Sequence, residues 1–300
     1  MSEFARRFAA SQIIGARERQ EDDYAALDLS GNGQERLLFV VADGMGGHRG
    51  AAAVTQVAVR RFCEIMKSCE GALGQHLPRA LLGANDAIAK AAILDGTLDG
   101  AGCAFLTAAV EDGGLSWVSV GDCSLLLFRR GQLRKLNGDH SMRPVLAEMV
   151  AAGRLSAKEA AQDPRRHSLR SALRGNEIRL IDTSPEPVLL MPDDALILAS
   201  DGFESLSSRS VCKILRRQIR LSPTRIVERL LTAIRAARAP NQDNATVIFY
   251  CFTQRNDFGR ERNDFPSARQ RTGGMRVYFW LALGAALLCA LVYGFQISTR

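Results

Sequence analysis

Residues 37–44, LLFVVADG, and their counterpart at 195–202, ALILASDG, decide how this chain is read. Each is a short apolar run with no polar interruption, the pattern of a strand covered on both faces. Each ends in an Asp-Gly step, Asp43-Gly44 and Asp201-Gly202, where the backbone turns and exposes its carbonyls. Asp-Gly is also an ordinary turn dipeptide, so neither acid taken singly implies more than a turn. A third acid, Asp243, stands just before the run TVIFYCF at 246–252. A rigid sheet framework can hold three such carboxylates close together, and hard oxygen ligands select Mg2+ or Mn2+ over zinc. Like charges at that separation need cations between them. Two such ions can bridge a water, lower its pKa and polarise a phosphoryl oxygen, which is hydrolysis without a protein nucleophile.

Working outward, further strands are expected at 105–110, 115–120 and 124–128. Asp112-Gly113-Gly114 and Arg130-Gly131 act as tight turns, and the middle strands read as one antiparallel meander. Helical periods run over 50–67, where Val54, Val57, Ala58, Phe62 and Ile65 share a face, and over 223–238, with Ile226, Val227, Leu230, Leu231 and Ile234. A further helix is expected between Leu77 and Ile93, and Ser222-Pro223 is a cap and first-turn pair. Two packed sheets with flanking helices accommodate this set of elements.

The chain has 300 residues, 47% of them apolar, which excludes collagen-like, disulfide-scaffold and wholly disordered classes. Its net charge of +7 is concentrated at the end, where residues 254–300 carry seven Arg against three acids. The nearly balanced body lacks the basic stripe of a nucleic-acid-binding face, so no nucleic-acid partner is expected. Cysteines are odd in number, form no C-x-x-C pair and follow no secretory leader, which fits a reducing compartment. Cys63, Cys103, Cys123, Cys212 and Cys251 read as small core residues. Residues 1–253 are expected to form one domain, 254–276 a polar Arg-rich linker, 277–295 a transmembrane helix and 296–300 a short tail. The span VYFWLALGAALLCALVYGF is uncharged for nineteen residues and as a helix crosses a hydrocarbon layer of about 30 Å. Arg269, Arg271 and Arg276 precede it and only Arg300 follows, which places the large domain in the cytoplasm.

Six phrases carry a resemblance: GARERQEDDYA at 15–25, FVVADGMGGHRGA at 39–51, SVGDCSLLLFRRGQL at 119–133, the stretch from NGDHSMRP to LRSALRG at 137–175, LILASDGFESL at 196–206 and NQDNATVIFY at 241–250. In this order they resemble the metal-dependent protein phosphatase 2C family in its bacterial form, across nearly all of the large domain. The resemblance implies an α+β fold, a central β-sandwich of two antiparallel sheets flanked by helices on both sides. It implies hydrolysis of phosphoserine and phosphothreonine by a metal-bridging water, with two Mn2+ or Mg2+ and a third ion in bacterial relatives. Carried over residue by residue, Asp43 bridges the two ions, the Gly44 carbonyl binds one, and Asp201 and Asp243 bind the other. Glu21 and Asp22 hold metal-bound waters, Arg17 grips the substrate phosphate, and Asp122 with Asp201 takes the third ion. Arg17, Asp43, Asp201 and Asp243 are thus the catalytic set, and Ser141 to Arg174 matches the flap beside the site.

Some positions depart from the family pattern. Gln20 replaces Asn, Cys103-Ala104 a Thr pair, Ser124 an Arg, and Met45 a His proposed as general acid in eukaryotic members. His48 is a weak substitute for that acid, and His140 reads as a pin for the start of the flap. Partners implied are phosphorylated cytoplasmic proteins, among them a bacterial Ser/Thr kinase and its substrates, at the inner membrane. The alternative reading is a phosphatase-fold scaffold that binds phosphoprotein without turnover.

Overall fold

Strand β3 (Arg36–Met45) is buried without a break from Leu37 to Ala42, and the computed structural model, which describes residues 7–46, 50–218 and 222–252, gives the reason. Leu37, Phe39 and Val41 face a core between two sheets, whereas Leu38, Val40 and Ala42 face a second core under helices. The two-residue alternation of a strand therefore serves two cores from one apolar run. Around it, β2 (Asp23–Asp28), β4 (Gly102–Glu111), β5 (Gly114–Val120) and the two-residue β8 (Asp182–Thr183) form an antiparallel sheet in the order β2-β3-β4-β5-β8. Strand β9 (Val188–Leu189) also pairs with β5. The second sheet runs β1-β11-β10-β6-β7, from β1 (Phe8–Ile13), β6 (Ser124–Arg129), β7 (Gln132–Lys135), β10 (Ala195–Ala199) and β11 (Ala245–Cys251).

Helices α1 (Gly50–Lys67) and α2 (Leu73–Leu94) cover the first sheet, with Val54, Phe62, Leu77 and Leu81 packed on Leu38, Val40 and Phe105. Two short helices, α3 (Arg143–Ala151) and α4 (Ala157–Gln162), lie in the segment expected as a flap. Helices α5 (Ser208–Gln218) and α6 (Pro223–Ala237) cover the second sheet, where Ile226, Leu230 and Ile234 meet Ile197 and Phe249. The layers are helix, sheet, sheet, helix, as expected. Ser222 does occupy the N-cap of α6 with Pro223 behind it, but its side chain makes no capping bond.

The single meander is corrected. Asp112-Gly113 joins β4 to β5 and Arg130-Gly131 joins β6 to β7, all four residues at positive φ, the geometry that matches strand twist in two-residue hairpins. Strands β5 and β6, however, lie in different sheets. The chain crosses at Gly121, whose φ of +95° and approach to Ala104 exclude a side chain: a Cβ there would stand 2.4 Å from that of Ala104. The buried Asn137 amide holds the crossing, accepting from the Leu125 N–H and donating to Ser119 Oγ and the Cys123 carbonyl. The linker 254–276, the span 277–295 and the tail lie outside the described residues, among which no helix is long and apolar enough to cross a membrane.

Candidate active site

Antiparallel pairing sends alternate strands to opposite ends, so β2, β4, β6 and β11 begin where β1, β3, β5 and β10 finish. Every acid singled out in the sequence lies at this one end. Asp22 precedes β2, Asp43 closes the buried part of β3, Asp122 sits in the crossing, Asp201 follows β10 and Asp243 precedes β11. Asp43 continues the set Leu37, Phe39, Val41 and so points between the sheets. Its Oδ2 accepts the Asp201 N–H at 3.3 Å. Asp22 Oδ2 accepts from Ser200 Oγ at 2.8 Å and Thr246 Oγ1 at 2.7 Å, which ties the first sheet to the second at the site.

The crowding shows in the proton affinities. Burial, then Asp22, Asp201 and Asp122, push the Asp43 carboxyl well above its ordinary value. Burial raises Asp22 to about 6, against the pull of its two hydroxyl donors. Burial and Asp243 raise Asp201 to about 6, and burial and Asp201 raise Asp122 to about 7. Two buried oxygens, Asp22 Oδ1 and Asp201 Oδ1, have no hydrogen-bond partner. Buried acceptors without donors, among mutually repelling carboxylates, fit divalent cations and their waters. Among the described residues no three Asp, Glu, His or Cys groups grip a single ion by themselves. An ion here therefore needs backbone oxygen and water in its shell, which suits the Gly44 carbonyl and a hydrated Mg2+ or Mn2+.

Close backbone approaches set the frame. A Cβ on Gly44 would stand 2.6 Å from the Glu21 carbonyl, and one on Gly202 would stand 2.0 Å from that of Asn244. The Asn244 side chain accepts the Glu21 N–H and donates to the carbonyls of Ile14 and Arg19, so it fixes the whole loop that carries Arg17 and Glu21. Gln20 takes a structural part, accepting the Asp22 N–H and donating to the Ile13 carbonyl. The Arg17 guanidinium, half exposed, pairs with Asp243 Oδ2, while Asp243 Oδ1 accepts its neighbour's N–H. Asp22, Asp43, Asp122 and Asp201 are thus brought together directly, with Asp243 beside them and held by Arg17.

The sequence reading missed Arg143, the first residue of α3. Its guanidinium lies 3.0 Å from Asp139 and 3.7 Å from Asp122 and pairs with Glu204. Only the four-residue spacing of Asp139 and Arg143 hinted at it, and that spacing usually marks a solvated helix face. His140, at the start of the segment expected as a flap, is tied to the crossing: its backbone N–H donates to the Gly121 carbonyl and its Nδ1 accepts the Gly121 N–H. His48 lies outside the described residues.

A four-layer sandwich with an acidic cluster at one end defines a class that comparison makes specific. Residues 14–235 match the family described as Protein phosphatase 2C, and the chain belongs to that family. The serine/threonine protein phosphatase PstP of Mycobacterium tuberculosis is 28% identical over 218 residues, covering 70% of this chain and 39% of that protein. The chain thus spans about two fifths of that relative's length. The serine/threonine phosphatase stp of Listeria innocua is 28% identical over 63% of this chain and 74% of its own length. A crystal structure of the PstP catalytic domain with two manganese ions superposes with a TM-score of 0.64 at 25% identity, covering 82% of this chain and 97% of that one.

Proposed function

We propose that this protein is a metal-dependent phosphatase that hydrolyses phosphoserine and phosphothreonine on cytoplasmic proteins. The observation that carries the reading is the cluster of the buried Asp22 and Asp122 with the half-buried Asp43 and Asp201, in which two carboxylate oxygens are left without donors. Asp43, the Gly44 carbonyl, Asp201 and Asp243 would hold two divalent ions, of the kind bound in the PstP catalytic domain, and Asp122 with Asp201 a third. Such ions supply Lewis acidity and an activated water at neutral pH. The chain's own residues do the rest. Ser200 and Thr246 orient the Asp22 carboxylate, which in turn orients water in the cleft. Arg17, half exposed at the rim, offers its planar fork to the phosphate and exchanges Asp243 for it. Met45 has no proton to give, so the leaving group is protonated from solvent or water held by the cluster. With every acid of the set retained, nothing favours a scaffold without turnover.

The protein is expected to hydrolyse p-nitrophenyl phosphate and phosphoserine peptides with added Mn2+. Asp201→Asn should reduce kcat by about a hundredfold or more, the scale of losing a principal charge at the reaction centre. Activity undiminished in excess EDTA would overturn the reading. We further propose that residues 277–295 tether the domain to the bacterial inner membrane, single-pass, where a Ser/Thr kinase and its substrates are the partners. Its support is the nineteen-residue uncharged run with its flanking Arg asymmetry. A chain ending at residue 276 should leave the membrane fraction that retains the full chain, and equal partition of the two would refute the anchor.

A further inference from the structure

The loop from Leu169 to Leu180 runs from beside Gly121 to Met45 at the acidic end and is built to a degree its lack of regular helix or strand hides. Ser171 Oγ accepts the Leu180 N–H and donates to the Leu180 carbonyl, closing the loop at its base. The buried Asn85 of α2 accepts the N–H groups of Arg174 and Gly175 and donates to the Asn176 carbonyl. Gly175, at φ +79°, lies so close to Ala89 that a Cβ would come within 2.7 Å of its backbone. Cys103, at the start of β4, exchanges both backbone hydrogen bonds with Leu173. The loop is therefore bolted to α2 and to β4.

What this frame presents is positive. Arg170, Arg174 and Arg179 line one open cavity of roughly 260 Å3, with Glu177 as its single acid. Among the described residues none of the three arginines enters an ion pair. The Arg174 side chain passes over Gly102, where a Cβ would stand 2.5 Å from its Cγ, and reaches the Met45 sulfur at 3.5 Å. Met45 pairs with Gly102 across the β3–β4 ladder, as Asp43 pairs with Ala104, so all four positions share the face that carries Asp43 between the sheets. Arg174 thus lies one residue pair beyond Asp43 along that face. Arg170 Nε donates to the Ser141 carbonyl at 3.0 Å, and guanidiniums that lack a carboxylate partner, carried on a rigid backbone frame, recognise carboxylate or phosphate through bidentate bonds at little ordering cost.

We propose that Arg174 and Arg179, with Arg170 behind them, form a second anion subsite that receives an acidic side chain or a second phosphate on the substrate, a few residues from the phosphoserine or phosphothreonine in the cleft. The proposal rests on the phosphatase reading, but it is read out by binding as well as by turnover. Fluorescence anisotropy of the full chain would be measured with three labelled phosphopeptides, one with neutral flanks, one with glutamates and one with a second phosphoserine. Wild-type protein should bind the glutamate or doubly phosphorylated peptide about tenfold more tightly than the neutral one, the scale of one charge-assisted contact, and the two anionic arms separate carboxylate from phosphate. Arg174→Gln with Arg179→Gln should bring that ratio to near unity, and in turnover should act through KM rather than kcat, whereas Arg174→Lys, which keeps the charge, should retain part of it. Should the double variant melt early, the exposed Arg179→Gln alone should still lower the ratio. No wild-type preference, or a preference that survives the double substitution, would overturn the subsite. Failure to hydrolyse any of the three, with the binding ratio intact, would instead count against the phosphatase reading.

Discussion

Arg143 has three carboxylates around it and is the residue through which the flap root meets the acidic cluster. Its positive charge opposes the burial that raises Asp122, so replacing it removes a cation from a site with little water to compensate. Arg143→Gln is expected to destabilise the metal-free protein by roughly 2 kcal/mol near pH 7.5, and by less near pH 5, where Asp122 is protonated. Thermal melts at the two pH values check this, and an equal loss at both would refute the electrostatic account. Gly44 and Gly202 are the complementary case, positions where the backbone rather than charge sets the limit. Gly202→Ala must displace the Asn244 carbonyl and should cost about 1–3 kcal/mol, as overpacking does. Denaturant melts would register it as a lower midpoint at unchanged slope. At this scale Asp43, Asp201 and Asp243 were legible because each abuts an apolar run in the sequence. Asp22 was legible only through the family phrase, since the hydroxyls that place it, Ser200 and Thr246, are far away in the chain. Arg143 was not legible, because its partner Asp122 is joined to it only by the fold.

Elements with two covered faces or a clean amphipathic stripe were readable from sequence, and α1 begins and ends where its periodicity says. Strands β1 and β2 were not read: FAASQI and DYAALD are half-buried edge segments whose few large apolar residues carry no marked alternation. The crossing between β5 and β6 was misread because Gly121-Asp122 resembles any hairpin turn locally, and only the packing against Ala104 shows that the chain leaves the sheet there. That crossing is what sets Asp122 between the sheets, and Asn137 is its staple. Asn137→Ala leaves the Leu125 N–H and the Cys123 carbonyl buried without a partner and should cost about 1–3 kcal/mol. Hydrogen exchange localises the effect: the Leu125 amide should lose protection far more than the amides of β10 and β11. Uniform loss across the second sheet would mean that Asn137 supports the whole sandwich rather than the crossing.

For the molecule as a whole, the acidic end sets a charge balance that protons or divalent ions can satisfy. Asp22 and Asp201 titrate near 6 and Asp122 near 7 in the folded chain, and burial with the neighbouring carboxylates holds Asp43 well above its ordinary value too, 3.8 being the ordinary value for all four. Between about pH 4 and 7 the folded state therefore binds more protons than the unfolded one, and this cluster makes the metal-free protein less stable as pH rises. His140 and His167, lowered chiefly by burial, act in the opposite sense below their ordinary 6.5, so a single melting curve mixes the two. A comparison of EDTA-treated with Mn2+-loaded protein at each pH separates them, because the histidines contribute to both. A bound ion adds about 2.7 kcal/mol when its concentration is a hundred times its dissociation constant, and it must displace the protons that low pH supplies to the carboxylates. The gap in Tm between Mn2+ and EDTA should therefore be small at pH 5 and widen steadily to pH 7.5. Asp43→Asn should raise the EDTA melting point at pH 7.5 and abolish most of the gap, since it removes a carboxylate crowded by Asp22, Asp201 and Asp122 and the ligand with it. A gap independent of pH, or one that Asp43→Asn leaves intact, would place the ions elsewhere on the protein.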